Sequence, residues 1–156
     1  MVRAMLIAVL ITIGLQGNAQ TESRITRYNY FFLEAIRQQE MGNLAAAFDL
    51  LNHARDINPK APEVYYEIAG YYVAMQNSKA ARYNFEQAAK LAPDNSTYLE
   101  KLGQFYISQN NYEDALTTYE QLYTSNKTRE DVLQILYQLY GAQNNYRIQW
   151  KTAMSN

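Results

Sequence analysis

Four asparagines, Asn43, Asn77, Asn111 and Asn145, stand 34 residues apart, each between two segments whose apolar residues step by three and four. The same shift brings other positions into line. Ala47 falls on Ala81 and Ala115, and Ala35 on Ala69 and Gly103. Leu51 falls on Phe85 and Tyr119, Phe31 on Tyr65, Leu99 and Leu133, Tyr72 on Tyr106 and Tyr140, and Pro59 on Pro93. Composition does not set spacing, so a register held at so many positions without a gap makes this chain a repeat protein.

Each unit reads as two helices. In 62–95, Val64, Tyr65, Ile68, Tyr71, Tyr72 and Met75 form one helical face, Gln76-Asn77-Ser78 breaks it, and Ala81, Phe85, Ala88 and Leu91 form another. Ala92-Pro93-Asp94-Asn95 ends the second helix, because proline lacks the donor that would continue it. The repeated Asn suits the junction: it tolerates left-handed backbone angles, or caps the next helix with its side-chain oxygen. Small residues pair across each junction, Ala35 with Ala47, Ala69 with Ala81 and Gly103 with Ala115, so the two helices can approach closely. A lone pair cannot cover its own apolar face, so the pairs must stack.

Residues 1–19 do not share the repeat. Arg3 precedes an apolar run, Ala4 to Leu15, interrupted only by Thr12 and Gly14. As a helix this run spans roughly 18 Å, short of the roughly 30 Å of a bilayer core. Gly17-Asn18-Ala19 follows, with small residues where a signal peptidase prefers them. We expect a signal peptide cut after Ala19 and an exported product. A cysteine-free exported chain fits a bacterial periplasm better than a disulfide-stapled extracellular module, and without cysteine after the apolar run a lipid anchor there is excluded. The remaining boundaries are a lead-in at 20–27, units at 28–61, 62–95 and 96–129, and a partial or degenerate fourth unit at 130–156.

These residues resemble the tetratricopeptide repeat family, whose pattern runs aromatic, Leu-Gly, Tyr, Ala, Phe, Pro. The unit at 62–95 carries Tyr65, Ile68-Ala69, Tyr72, Ala81, Phe85 and Pro93. The next carries Leu99, Leu102-Gly103, Tyr106, Ala115 and Tyr119, with Lys127 in place of proline. The first departs at Glu34 and Gln38, which suits a terminal unit with one face in water; the fourth has Tyr137 in place of the small residue. The resemblance implies an all-α fold, a right-handed α-solenoid of antiparallel helix pairs with about three full units and a partial fourth. It also implies a concave face lined by the first helix of each pair, where peptides or partner helices bind.

The chemistry points the same way. A net charge of −1 argues against a polybasic nucleic-acid or membrane-surface protein. Without cysteine and with a single histidine, His53, thiolate and histidine-based sites drop out. His53 reads as a surface residue, and Asp49 and Asp56 as solubilising charge. We therefore expect no catalytic residue, no cofactor and no metal. Tyr65, Tyr72, Tyr106, Tyr112, Tyr119 and Tyr140 stand at repeat-core positions; Tyr66 and Tyr83 do not and read as exposed contact aromatics. Helical spacing from the buried positions gives a partner-binding groove of Asn29, Phe32, Ile36, Glu63, Tyr66, Gly70, Val73, Thr97, Glu100, Gln104 and Ile107. It holds acids but no Arg or Lys, and Lys101 is the one cation near it. The expected function is a non-catalytic interaction scaffold of the cell envelope, with a carbohydrate-binding or enzymatic helical-repeat protein as the alternative.

The fourth unit follows the register to Asn144-Asn145-Tyr146 and then loses it: Gln149 stands where a small residue is expected, and Ala153 where an aromatic is. We expect a truncated or frame-shifted repeat or an atypical cap, with Leu133, Leu136, Leu139 and Tyr140 only partly covered. Residues 147–156 would then pack poorly, and the exposed end would self-associate.

Overall fold

The computed structural model describes the backbone of residues 2–154 and the side chains of residues 20–144. Among the described residues the chain is all-α, with seven helices: α1 (Val2–Glu40), α2 (Leu44–Ile57), α3 (Pro62–Ala74), α4 (Ser78–Leu91), α5 (Ser96–Ser108), α6 (Tyr112–Ser125) and α7 (Glu130–Met154). It is a helical-repeat fold of the solenoid class. Contacts divide it into two compact units, 1–68 and 69–156, with the division inside α3.

One junction device recurs at 34-residue spacing. Gly42, Gln76 and Asn110 each take a left-handed backbone, with φ of 80°, 58° and 57°. The asparagine that follows donates its amide to the carbonyl five residues before it: Asn43 to Gln38, Asn77 to Tyr72 and Asn111 to Tyr106, each at 2.9 Å. This is the Schellman closure, which satisfies carbonyls that a helix end leaves free. The same asparagine then begins the next helix. Asn77 Oδ1 accepts from the Ala80 amide at 3.1 Å and Asn111 Oδ1 from the Asp114 amide at 3.4 Å. Asn43 makes no such cap and instead donates Nδ2 to Gln38 Oε1 at 2.7 Å.

The fourth asparagine is different. Asn145 lies inside α7, which runs for 25 residues through the position where a turn was expected. No second helix therefore starts there, and the expected fourth pair is replaced by one continuous helix. At the other end, α1 runs unbroken through the expected cleavage position. The poor packing expected for 147–156 concerns side chains outside the described residues.

In the first unit, α1 packs against α2. Ala35, Ala47, Leu51 and Ala54 are fully buried, and Tyr28, Val64 and Ile68 complete the core. His53 is exposed as expected, but its ring meets Phe31 edge-on with centroids 4.3 Å apart. In the second unit α4, α5, α6 and α7 pack in succession. Ala69, Ala81 and Ala115 are fully buried. Gly103 makes the tightest approach: a Cβ there would lie 2.6 Å from Tyr119 Cε2, so the Tyr119 ring rests on the α5 backbone. Val132, Leu136 and Leu139 are buried on the side of α7 that meets α6, so Leu136 and Leu139 are better covered than expected.

Three tyrosines expected in the core are less buried. Tyr72 and Tyr112 are half-buried, and Tyr140 is 45% exposed, because α7 continues past the expected turn and does not fold back over it. Tyr65, Tyr106 and Tyr119 are buried as expected.

Candidate protein-interaction face

The expected groove residues fall on both units. In the first, Phe32, Ile36, Glu63 and Tyr66 are all half-buried, and Asn29 is exposed. Tyr28 joins two of them: its ring stacks on Phe32 (centroids 5.9 Å apart, planes at 11°), and its hydroxyl donates to Glu63 Oε1 at 2.5 Å. The link follows from helical geometry, since Tyr28 lies four residues before Phe32 and so on the same face of α1. Beside them, burial holds the Tyr66 hydroxyl's pKa above its usual range, with a further push from Glu67. Glu67 is itself raised by burial, which a hydrogen bond from Gln39 partly offsets.

In the second unit, Gly70, Val73, Thr97 and Gln104 are exposed, while Glu100 and Ile107 are half-buried. Val73 leaves 48% of its surface in solvent. A Cβ at Gly70 would meet nothing within 4 Å, so this glycine, unlike Gly103, leaves open space beside the helix. Glu100 is engaged: Arg129 Nη2 donates to its Oε2 at 3.3 Å and to Asp131 Oδ2 at 2.5 Å. Sequence reasoning missed this cation, because Arg129 lies 29 residues away, ahead of α7. Arg129 holds Asp131 down to a pKa of about 2.

Polar links between successive pairs also repeat. Tyr106 donates its hydroxyl to Glu86 Oε1 at 2.7 Å, and Tyr140 donates to Glu120, the same pair shifted by 34 residues. Arg82 completes the first of these: it bonds Glu86 at 2.7 Å and Asp114 at 2.8 Å, and its guanidinium lies 5.2 Å from the centre of the Tyr106 ring. Burial and the Glu86 carboxylate push the Tyr106 pKa upward. Each of these groups has a partner within the fold, as expected of struts between helices. Of the two tyrosines expected to be contact aromatics, Tyr83 is 55% exposed and Tyr66 only half so.

Among the described residues no cluster of three His, Cys, Asp or Glu side chains could hold a metal ion. A hollow of about 380 Å³ is lined by Asn110, Asn111, Tyr112, Glu113 and Gln143, amides with a single carboxylate. Asp49 and Asp56 are both exposed.

Comparison with known proteins agrees with this architecture. A family model described as Tetratricopeptide repeat matches residues 72–139. The first TPR of Spaghetti (RPAP3), solved bound to the HSP90 peptide SRMEEVD, shares the fold with a TM-score of 0.62 at 15% identity, over 76% of this chain and 97% of that one. Yeast Tom70 gives a TM-score of 0.72 at 15% identity, over 83% of this chain, which spans 26% of Tom70. The Sgt2 TPR domain from Aspergillus fumigatus gives 0.61 at 19% identity, over 77% of this chain and 81% of that one. A search of curated proteins finds no match. Residues 72–139 match the tetratricopeptide repeat model, and the paired helices and recurring 34-residue junctions on either side carry the same pattern.

Proposed function

We propose that the chain is a non-catalytic scaffold that holds a peptide or partner helix on the face of its first helices, in the cell envelope. The observation that carries this reading is the state of that face. In the first unit Phe32, Ile36 and Tyr66 are half-buried, and in the second Val73 is 48% exposed and Ile107 half-buried, so each unit keeps apolar surface for a ligand while the small residues at 35, 69 and 103 are consumed by packing. The RPAP3 domain, solved with a peptide, supports the same use of the fold. Arg3, the apolar run at 4–15 and Gly17-Asn18-Ala19 support export and with it the envelope location. N-terminal sequencing of protein recovered from its host is expected to begin at Gln20; a retained Met1 in soluble cytoplasmic material would count against export.

The ligand is expected to be apolar, and neutral or basic. Glu63 and Glu67 stand on the first unit's face, and the one cation bonded to Glu100 already serves Asp131. Calorimetry on residues 20–156 should detect an amphipathic, non-acidic helical peptide and lose it in Val73→Asp. Micromolar affinity for an acidic C-terminal peptide such as SRMEEVD would overturn this choice of ligand.

A further inference from the structure

The face of α5 that α6 covers has an uncovered counterpart on α7. Leu99 and Tyr106 are 2% and 6% exposed, and Gly103 lies under the Tyr119 ring. Shifted by 34 residues these positions are Leu133, Tyr137 and Tyr140, which are 42%, 83% and 45% exposed. They lie at steps of four and three, so they form one stripe on α7, apart from Val132, Leu136 and Leu139 on its buried side. What should cover the stripe is the helix that the register places after Asn145. That stretch is helical, but as a straight continuation of α7. A straight helix cannot fold back on its own first half, so residues 145–154 cannot cover the stripe of the chain they belong to.

Two observations identify the occupant. Gln109-Asn110-Asn111-Tyr112 and Gln143-Asn144-Asn145-Tyr146 are the same tetrapeptide. The first forms the α5–α6 turn, with Asn110 left-handed, and the second lies within α7. A hinge whose sequence can turn, but which is held straight, is the arrangement by which identical chains exchange an element. The volumes also match. By the 34-residue register Tyr137 stands at the position of Gly103 and Ala153 at the position of Tyr119, so the large and small residues are traded between the two segments. Thr118, buried on α6, corresponds to Thr152.

We propose that the chain forms a two-fold dimer by exchange of α7: residues 145–154 of each copy lie along the Leu133–Tyr137–Tyr140 stripe of the other. Both stripes are covered at once by one isologous contact, so the assembly closes at two copies and does not extend into a fibre. The occupant is a second copy of this chain, distinct from the ligand of the first-helix face.

The test uses the absence of native cysteine. Light scattering on the mature chain, 20–156, should give the mass of a dimer. A tagged Tyr137→Cys chain and an untagged Ala153→Cys chain, refolded together, should be joined by a short bifunctional thiol reagent into a tagged–untagged pair. Because Tyr137→Cys removes part of the contact, exposed Gln138→Cys serves as a second reporter with Tyr137 intact. A monomer at all concentrations would overturn the proposal. So would a dimer in which neither 137 nor 138 links to 153 of the other copy, or a doubly substituted Gln138→Cys/Ala153→Cys chain that links only within itself.

Discussion

Gly103 on α5 has the ring of Tyr119, from α6, where its own side chain would be: an added Cβ would lie 2.6 Å from Tyr119 Cε2 and 3.0 Å from Cδ2. The ring is 1% exposed and closely packed, so it cannot swing away. Gly103→Ala should therefore cost about 1–3 kcal/mol through overpacking, more than the roughly 0.5–1 kcal/mol that alanine gains over glycine in a helix. Gly70 on α3 meets nothing within 4 Å, so Gly70→Ala should show only the gain. Urea unfolding of the two variants should move the midpoint in opposite directions.

Gln76 occupies, with φ of 58°, the left-handed turn position that Gly42 fills in the first unit. A left-handed backbone costs an L-residue about 1–2 kcal/mol, while glycine pays an entropic cost of about half that. Gln76→Gly should raise stability by up to about 1 kcal/mol, and Gly42→Ala should lower it. Thermal unfolding of both variants checks the pair.

Ala81 has no exposed surface, and His53 lies in solvent with one edge against Phe31. Ala81→Glu places an unpaired charge in the core and should unfold most of the second unit. His53→Ala removes one exposed ring contact and should cost no more than about 1 kcal/mol. Equal melting temperatures for the two would contradict the packing described for α4.

Glu67 holds its proton more tightly in the folded chain than in the unfolded one, because burial disfavours its charge. A carboxyl raised on folding favours the folded state most below its unfolded pKa, and that contribution is lost as pH rises through the folded value. Glu67→Gln should therefore melt above the parent at pH 7, and its advantage should vanish below about pH 4.5. Asp131 behaves oppositely: Arg129 lowers it to about 2, so its contribution is full at neutral pH and falls away between about pH 4 and 2. Asp131→Asn should melt below the parent at pH 7 and converge with it in acid. Melting curves of the three proteins across pH 2–8 would show Glu67→Gln approaching the parent from above and Asp131→Asn from below as pH falls.

The sequence by itself determined what depends on spacing. The period placed the turns at 42–43, 76–77 and 110–111, because a helix end needs one left-handed residue and one polar cap, and both recur in register. It also placed the small residues at 35, 47, 69, 81, 103 and 115 in the interior, since close helices admit nothing larger. What depends on which atoms meet was left to the tertiary structure. The pairing of Arg129 with Glu100, of Tyr28 with Glu63 and of Tyr106 with Glu86 joins residues 20 to 35 positions apart, and periodicity carries no side-chain directions over that distance. The path of α7 was decided there too. Gln-Asn-Asn-Tyr turns the chain at 109–112 and remains helical at 143–146, because a tetrapeptide sets only a local preference and the packing around it selects the conformation. Among the described residues no helix folds over Leu133, Tyr137 and Tyr140, and core positions of the repeat are exposed surface there.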